Sequence, residues 1–206
     1  MINLAEWINP EYLDPVRQKK HKDLFVDSKP FSHLELPRFF NEKKVRAVLS
    51  AVEEEPMFLK DSDLFTFLQS NDFVSSSNKT VLEFREIMMS GEFTAVLCAF
   101  TGSRCESGRI DMSASVYANT HYLLCHDDRL EKRKLAYLVY LSDLNEGDGG
   151  ELALYSSKNG KPTRIEKCIR PTFNSLVIFS VSTTSFHMVK EVTRDIERIA
   201  IGGWFY

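Results

Sequence analysis

The chain has 206 residues, 43% of them hydrophobic and 27% charged, with 26 Lys plus Arg against 29 Asp plus Glu and a formal net charge of −3. That balance suits a folded domain large enough to bury a continuous core, and with 12% aromatic residues it excludes disorder as the main state. A slightly acidic chain has no global positive field for a phosphate backbone, so no direct nucleic-acid binding is expected.

Met1 to Pro15 carries Glu6, Glu11 and Asp14 and lacks the basic start and apolar run of a signal peptide. No segment approaches the roughly 20 apolar residues that cross a bilayer. Cys98, Cys105, Cys125 and Cys168 are scattered, without a C-x-x-C pair, which predicts reduced thiols, no structural zinc, no membrane and a cytoplasmic or nuclear address.

Up to about residue 107 the periodicity is mainly helical. Asn41 to Glu55 places Val45, Val48, Leu49 and Val52 on one face and ends at Pro56. A second helix is expected from Thr80, whose spacing to Glu83 is that of a capping box, and Gly91 should end it. Ser75-Ser76-Ser77-Asn78 reads as the loop between them, and Glu92 to Phe100 as a short buried helix stopped at Thr101-Gly102. From Gly108 the texture changes to eight short strands: Ile110 to Tyr117, Tyr122 to His126, Leu135 to Leu141, Glu151 to Tyr155, Arg164 to Ile169, Ser175 to Val181, Ser185 to Val189 and Ile196 to Phe205. Gly147-Asp148-Gly149-Gly150 and Lys158-Asn159-Gly160 mark turns among them. The expectation is one α+β domain over residues 1–206, helices first and then an antiparallel sandwich or barrel that they cover.

Among five histidines, His126 stands at the end of the apolar run Tyr122-Leu123-Leu124-Cys125, with Asp128 two residues on. On a strand, residues two apart share a face, so imidazole and carboxylate would converge on one small ion. Alone, the pair is better explained by a surface hydrogen bond at a strand end. His187 in a second strand and Arg198 in a third supply the context. Two His and one carboxylate on a β scaffold leave positions of an octahedral Fe(II) open for a bidentate 2-oxo acid and dioxygen. A guanidinium offers the acid's far carboxylate a permanent, bidentate partner.

His126-x-Asp128, Gly149-Gly150-Glu151-Leu152, and His187 followed by Arg198 and Trp204 resemble the core of the 2-oxoglutarate and Fe(II) dependent oxygenases of the prolyl hydroxylase group. More narrowly, Leu123 to Asp128, Val139-Tyr140-Leu141, Ser185-Phe186-His187, Gly203-Trp204-Phe205 and, upstream, Asp63 to Asp72 are similar to the ribosomal-protein prolyl 3-hydroxylases. The resemblance implies a double-stranded β-helix (jelly-roll, cupin-like) core with the N-terminal helices packed on one sheet. It implies His126, Asp128 and His187 as iron ligands, Arg198 as partner of the 2-oxoglutarate C5 carboxylate, Tyr140 as the hydroxyl assisting Arg198, and Tyr117 as a pocket residue near the metal.

The implied reaction is a dioxygenase hydroxylation of a peptidyl proline, in a small-subunit ribosomal protein, releasing succinate and CO₂, with dioxygen as oxidant and ascorbate as a supporting reductant. Rival readings are the same chemistry on another protein or a small molecule, and a non-catalytic β-helix binding module. Family members of the eukaryotic type continue into a second, non-catalytic β-helix domain, whereas this sequence stops at Tyr206.

His21, His33 and His121 read as ordinary residues, Asp127 as facing solvent or substrate, Cys125 as packing and Trp204 as a core aromatic. Tyr140 also fits simple core, since Ala136 to Leu141 is apolar throughout. Asp143, Glu146, Asp148 and Glu151, with no Lys or Arg among them, suggest an acidic rim that attracts a basic peptide substrate, or else a merely solvated turn.

Overall fold

The computed structural model describes residues 3–130 and 132–206. In chain order its elements are α1 (Pro15–Asp27), β1 (His33–Leu36), α2 (Glu42–Glu53), β2 (Met57–Ser62), β3 (Phe65–Ser70), α3 (Lys79–Met89), α4 (Gly91–Thr101), β4 (Ile110–Tyr117), β5 (Tyr122–His126), β6 (Leu135–Tyr140), β7 (Leu152–Lys158), β8 (Lys161–Ile169), β9 (Leu176–Ser180), β10 (His187–Val189) and β11 (Arg198–Phe205).

All pairings are antiparallel, and the strand order β1-β9-β6-β11-β4-β3-β5-β10-β7-β8, with β2 on the far edge of β3, describes one curled sheet. It folds over as two layers, the jelly-roll expected. β3 is the link between them: Leu68 and Gln69 pair with β4, while Phe65 and Thr66 pair with β5. Three strands thus arise in the half read as mainly helical, and one of them closes the fold.

The strands of the larger layer are apolar on both faces because both are covered. Leu135, Tyr137, Val139, Leu176, Ile178 and Ile201 face the helices and join Val45, Val48, Phe84, Phe93 and Phe100 in the main core. The alternate residues Ala136, Tyr140, Val177, Phe179 and Ala200 face the other layer and meet Leu152, Leu154 and Ile169. A shift of one residue in any of these strands would exchange the two sets, so burial on both sides fixes the register that positions the site.

Local signals set the helix ends. Asp14 caps α1 by accepting from the Val16 and Arg17 amides, and Pro15 fills the first helical position, where its missing N–H costs nothing. Asn41 caps α2 and Asn78 caps α3. The α3 cap therefore falls two residues before Thr80, the position expected from the capping-box spacing. Gly91 opens α4 rather than ending α3: the chain turns at Ser90, whose hydroxyl takes the Phe93 amide, and α4 stops at Gly102 in the left-handed region.

Candidate functional site

β5 and β10 are neighbours, and in their register His126 lies directly opposite His187. Cross-strand partners on one face stand close, and here the imidazole centroids are 4.2 Å apart. Asp128 does not reach them by strand alternation, as the sequence suggested. β5 ends at His126, and Asp128 sits in the left-handed region at φ 59°, a conformation Asp tolerates better than most residues. The turn folds its carboxylate back between the rings, with Oδ1 3.3 Å from His126 Nε2 and Oδ2 3.3 Å from His187 Nε2.

Each ring is oriented from behind. His126 Nδ1 lies 2.9 Å from the Leu124 carbonyl oxygen and His187 Nδ1 2.8 Å from that of Ser185. An Nδ1–H donated to a carbonyl leaves Nε2 as the lone-pair nitrogen, which is how metal-binding histidines are commonly held. Burial disfavours the His126 imidazolium, but the hydrogen bond and charge of Asp128 outweigh it and raise the pKa. For Asp128, burial is likewise outweighed by hydrogen bonds from both histidines, which hold the carboxyl well below the usual range. Two imidazole nitrogens and a carboxylate, with ligand atoms all within 4.8 Å of one another, form a donor set that fits a divalent cation. Among the described residues it is the one group of three or more such side chains placed to hold a metal, and His21, His33 and His121 take no part in it.

Arg198 opens β11 and is fully buried. Its Nε donates to the Gly150 carbonyl at 2.8 Å and one terminal nitrogen to the Tyr140 hydroxyl at 3.2 Å; the guanidinium carbon lies 5.0 Å from the ring centroids of both Tyr117 and Tyr140. The other terminal nitrogen, Nη1, is buried without a partner, and no carboxylate of the described residues pairs with this cation. An isolated buried charge is expensive, so the arrangement is complementary to an anion that brings its own carboxylate. Burial raises the pKa of both tyrosines against the opposing pull of Arg198, so each stays a neutral hydroxyl.

The approach to Arg198 depends on Gly150. At φ 72°, a Cβ there would stand 2.8 Å from Leu144 Cδ2 and 3.2 Å from Arg198 Cδ. Triad and guanidinium share one open-mouthed cavity of about 130 Å³ between the layers, walled by Tyr117, Leu123, Leu152, Phe179 and Trp204. A few polar groups set in an apolar wall are the make-up of a small-molecule site.

Several expectations change. Trp204 is not core: it is half-buried on the cavity wall, its Nε1 lacks a partner, and the Arg133 guanidinium lies over it at 3.3 Å. Asp127 is tied up by the Arg129 amide (3.1 Å) and Nε (2.7 Å). The acidic rim is largely structural. Asp143 accepts from the Phe173 amide at 2.7 Å, Asp148 from the Asn145 amide at 2.6 Å, and Glu151 pairs with Lys190 at 3.7 Å, leaving Glu146 as the member without such a partner. Burial, with Asp127 beside it, raises the Cys125 thiol, consistent with a packing role. Sequence reasoning passed over Gly150 as anything beyond a turn residue and left Gln69 and Ser113 unmarked, although β3 and β4 bring both to the cavity wall. No helix among the described residues is long and apolar enough to cross a membrane.

The family model described as "2OG-Fe(II) oxygenase superfamily" matches residues 112–206. A mouse protein, prolyl 3-hydroxylase OGFOD1, is 36% identical over 193 residues, which is 90% of this chain and 34% of that protein. Its Xenopus laevis counterpart is 36% identical over 188 residues, 88% of this chain and 36% of the relative, and Ostreococcus tauri prolyl 3,4-dihydroxylase OGFOD1 is 31% identical over 199 residues, 88% and 39%. This chain therefore spans about a third to two fifths of the length of these curated relatives. Among solved structures, a Pseudomonas putida prolyl-4-hydroxylase shares the fold with TM-score 0.69 at 17% identity, covering 91% of this chain and 97% of that one. A Trichoplax adhaerens prolyl hydroxylase, solved with a hypoxia inducible factor peptide fragment, does so with TM-score 0.70 at 16% identity, covering 95% of each. The family match takes in both imidazoles, the carboxylate and the guanidinium, and residues 112–206 of the chain carry the 2OG-Fe(II) oxygenase superfamily domain.

Proposed function

We propose that this chain is an Fe(II)- and 2-oxoglutarate-dependent dioxygenase that hydroxylates a peptidyl proline, and that the proline belongs to a small-subunit ribosomal protein. The observation that carries the enzymatic reading is the buried, carboxylate-free Arg198 sharing a cavity with three converging donors. A fold kept only as a binding module has no need of that costly cation. The prolyl target rests on the printed names of the relatives. The ribosomal target rests on the sequence resemblance of Leu123 to Asp128, Val139 to Leu141 and Ser185 to His187.

His126, Asp128 and His187 would hold the metal, since their side chains converge on one point. Bound iron(II), with 2-oxoglutarate and dioxygen, supplies the oxidising chemistry that inserts one oxygen atom into a C–H bond and releases succinate and CO₂. Arg198 takes the far carboxylate of the oxo acid, using the donor that lacks a protein partner, while Gly150 and Tyr140 fix its plane. Tyr117 caps the guanidinium and lines the pocket that the three metal-site side chains share. The apolar wall of Leu123, Leu152 and Phe179 limits water around the reacting groups. No side chain has to act as general base.

Loading the protein with Fe(II), 2-oxoglutarate and ascorbate and following succinate tests the enzymatic claim. Mass spectrometry of small-subunit ribosomal proteins, with and without the loaded enzyme, tests the target: a proline gaining one oxygen supports it, and an unchanged set rejects it.

A further inference from the structure

Building on the prolyl hydroxylase reading, we propose that a polar cavity beside the catalytic one is the subsite for the peptide flank of the target residue, and that it selects an acidic or carboxamide side chain there. This second cavity, about 300 Å³, lies where β2, the end of β3, β4 and β11 meet. Gln69, Ser113, Gly202 and Trp204 line both cavities, so a chain with one residue in the first has its neighbours at the second.

The surface between them is built to be crossed. A Cβ at Gly203 would fall 1.8 Å from the Asp111 carbonyl oxygen and one at Gly202 2.9 Å from Leu138 Cδ2, so the floor beside Trp204 is backbone. Gln69 and Ser113 are bonded to each other at 3.0 Å and form a low wall rather than a plug. Trp204 borders both cavities, and its indole N–H is buried without a partner. Among the described residues β2 pairs with β3 alone, which leaves its outer edge open alongside.

The selectivity follows from which polar groups are already engaged. Asp72 accepts from the Val74 amide at 2.8 Å and the Met112 amide at 3.1 Å, with Arg85 at 3.9 Å. Asp111 accepts from the Tyr206 hydroxyl at 2.5 Å and has Arg133 at 3.8 Å. Asp61, next to Lys60 in sequence, is held by Thr66 Oγ1 at 2.7 Å. Among the described residues this leaves the Lys60 ammonium as the lining charge with no ion-pair partner, and the Asn71 side-chain amide as a group free to bond in either sense. A cation and a carboxamide suit a carboxylate or carboxamide side chain. A lysine flank would set like charges together. The expectation drawn from the acidic loop, a basic peptide, is thereby reversed at this subsite.

The experiment is hydroxylation of a library of proline-centred peptides with randomised flanks by the iron- and 2-oxoglutarate-loaded enzyme, read by mass spectrometry. The expected result is one flank position enriched in Asp, Glu, Asn or Gln and depleted in Lys and Arg. For an exposed ion pair the Asp-over-Lys preference should be about fivefold in kcat/KM at low salt. Lys60→Glu should invert the preference and Lys60→Leu flatten it, while melting temperature and peptide-independent succinate formation match wild type. Peptides hydroxylated without a flank preference, or a preference that Lys60→Glu leaves unchanged, would overturn the subsite and leave the prolyl reading standing. If 2-oxoglutarate is consumed and no proline-centred peptide is hydroxylated, the prolyl reading fails and the subsite with it.

Discussion

The two ends of the catalytic cavity are built on different plans. At the guanidinium end, Arg198 is fully buried and held by pieces distant in sequence: the Gly150 carbonyl, the Tyr140 hydroxyl and the Tyr117 ring. At the metal end, His126 retains a side-chain exposure of 31%, and the three donors come from one strand pairing plus one left-handed turn. The first end is preorganised by the packed interior. The second is preorganised locally, by two carbonyls that aim two rings. Damage at either end should therefore stay at that end, and substitutions can be ranked by how completely they remove what the other end cannot replace.

The largest effect belongs to His187→Ala. It removes a donor from a set of three and should eliminate turnover, with loss of Fe(II) or Co(II) binding in a direct titration and little change in melting temperature. Arg198→Met comes next and separates the ends. Metal binding should persist, while the 2-oxoglutarate concentration needed for half-maximal succinate formation rises about a hundredfold, the worth of a bidentate charge-assisted contact. Because a buried cation without a carboxylate is costly, the variant should melt no lower than wild type in the absence of 2-oxoglutarate and should lose the upward shift that the co-substrate gives wild type. A melting temperature several degrees lower would mean that Arg198 is there for the fold.

Much of this division was legible in the sequence. β4 and β5 run over Ile110–Tyr117 and Tyr122–His126, as alternation and turn residues predicted, and His126, His187 and Arg198 occupy strands found the same way. α1 was passed over although Asp14-Pro15 carries its start signal, because its outward side mixes lysines with Val16, Leu24 and Val26, all exposed, and gives no apolar stripe. The β2–β3 hairpin was left unassigned because β2 is almost wholly exposed and shows no buried alternation, even though Phe65 and Phe67 alternate in its partner. The turn at Asp128 is hidden for another reason. Spacing reports that two residues lie near each other in the chain, and a left-handed φ that swings a carboxylate between two rings depends on the pairing of β5 with β10, which is non-local.

Gly150→Ala sharpens the comparison from the backbone side. The new Cβ meets Leu144 and Arg198 at a left-handed φ, so about 1–3 kcal/mol of stability should go, with a melting temperature lower by about 3 °C or more. The 2-oxoglutarate requirement should rise with it, and metal affinity should hold. Tyr140→Phe is gentler. It deletes one hydrogen bond to a buried guanidinium and should cost about tenfold in KM for 2-oxoglutarate with kcat nearly intact, since the ring and its packing remain.

The smallest expected effect tests how far the guanidinium end extends. Asp148 was read as part of an acidic rim, yet its carboxylate bonds the Asn145 amide inside the turn that leads to Gly149-Gly150, and its backbone carbonyl accepts from the Thr193 amide at 2.8 Å. Asp148→Ala removes the first of these and loosens the turn that presents the Gly150 carbonyl to Arg198. A lost turn-capping bond is worth about 1 kcal/mol at the turn, and only part of that reaches Arg198, so KM for 2-oxoglutarate should rise about twofold with metal affinity unchanged. Glu146→Lys, which reverses charge in the same loop without touching that bond, should leave KM for 2-oxoglutarate where it was. If the two variants behave alike, the loop acts on the site through its charge, and the guanidinium end stops at Gly150.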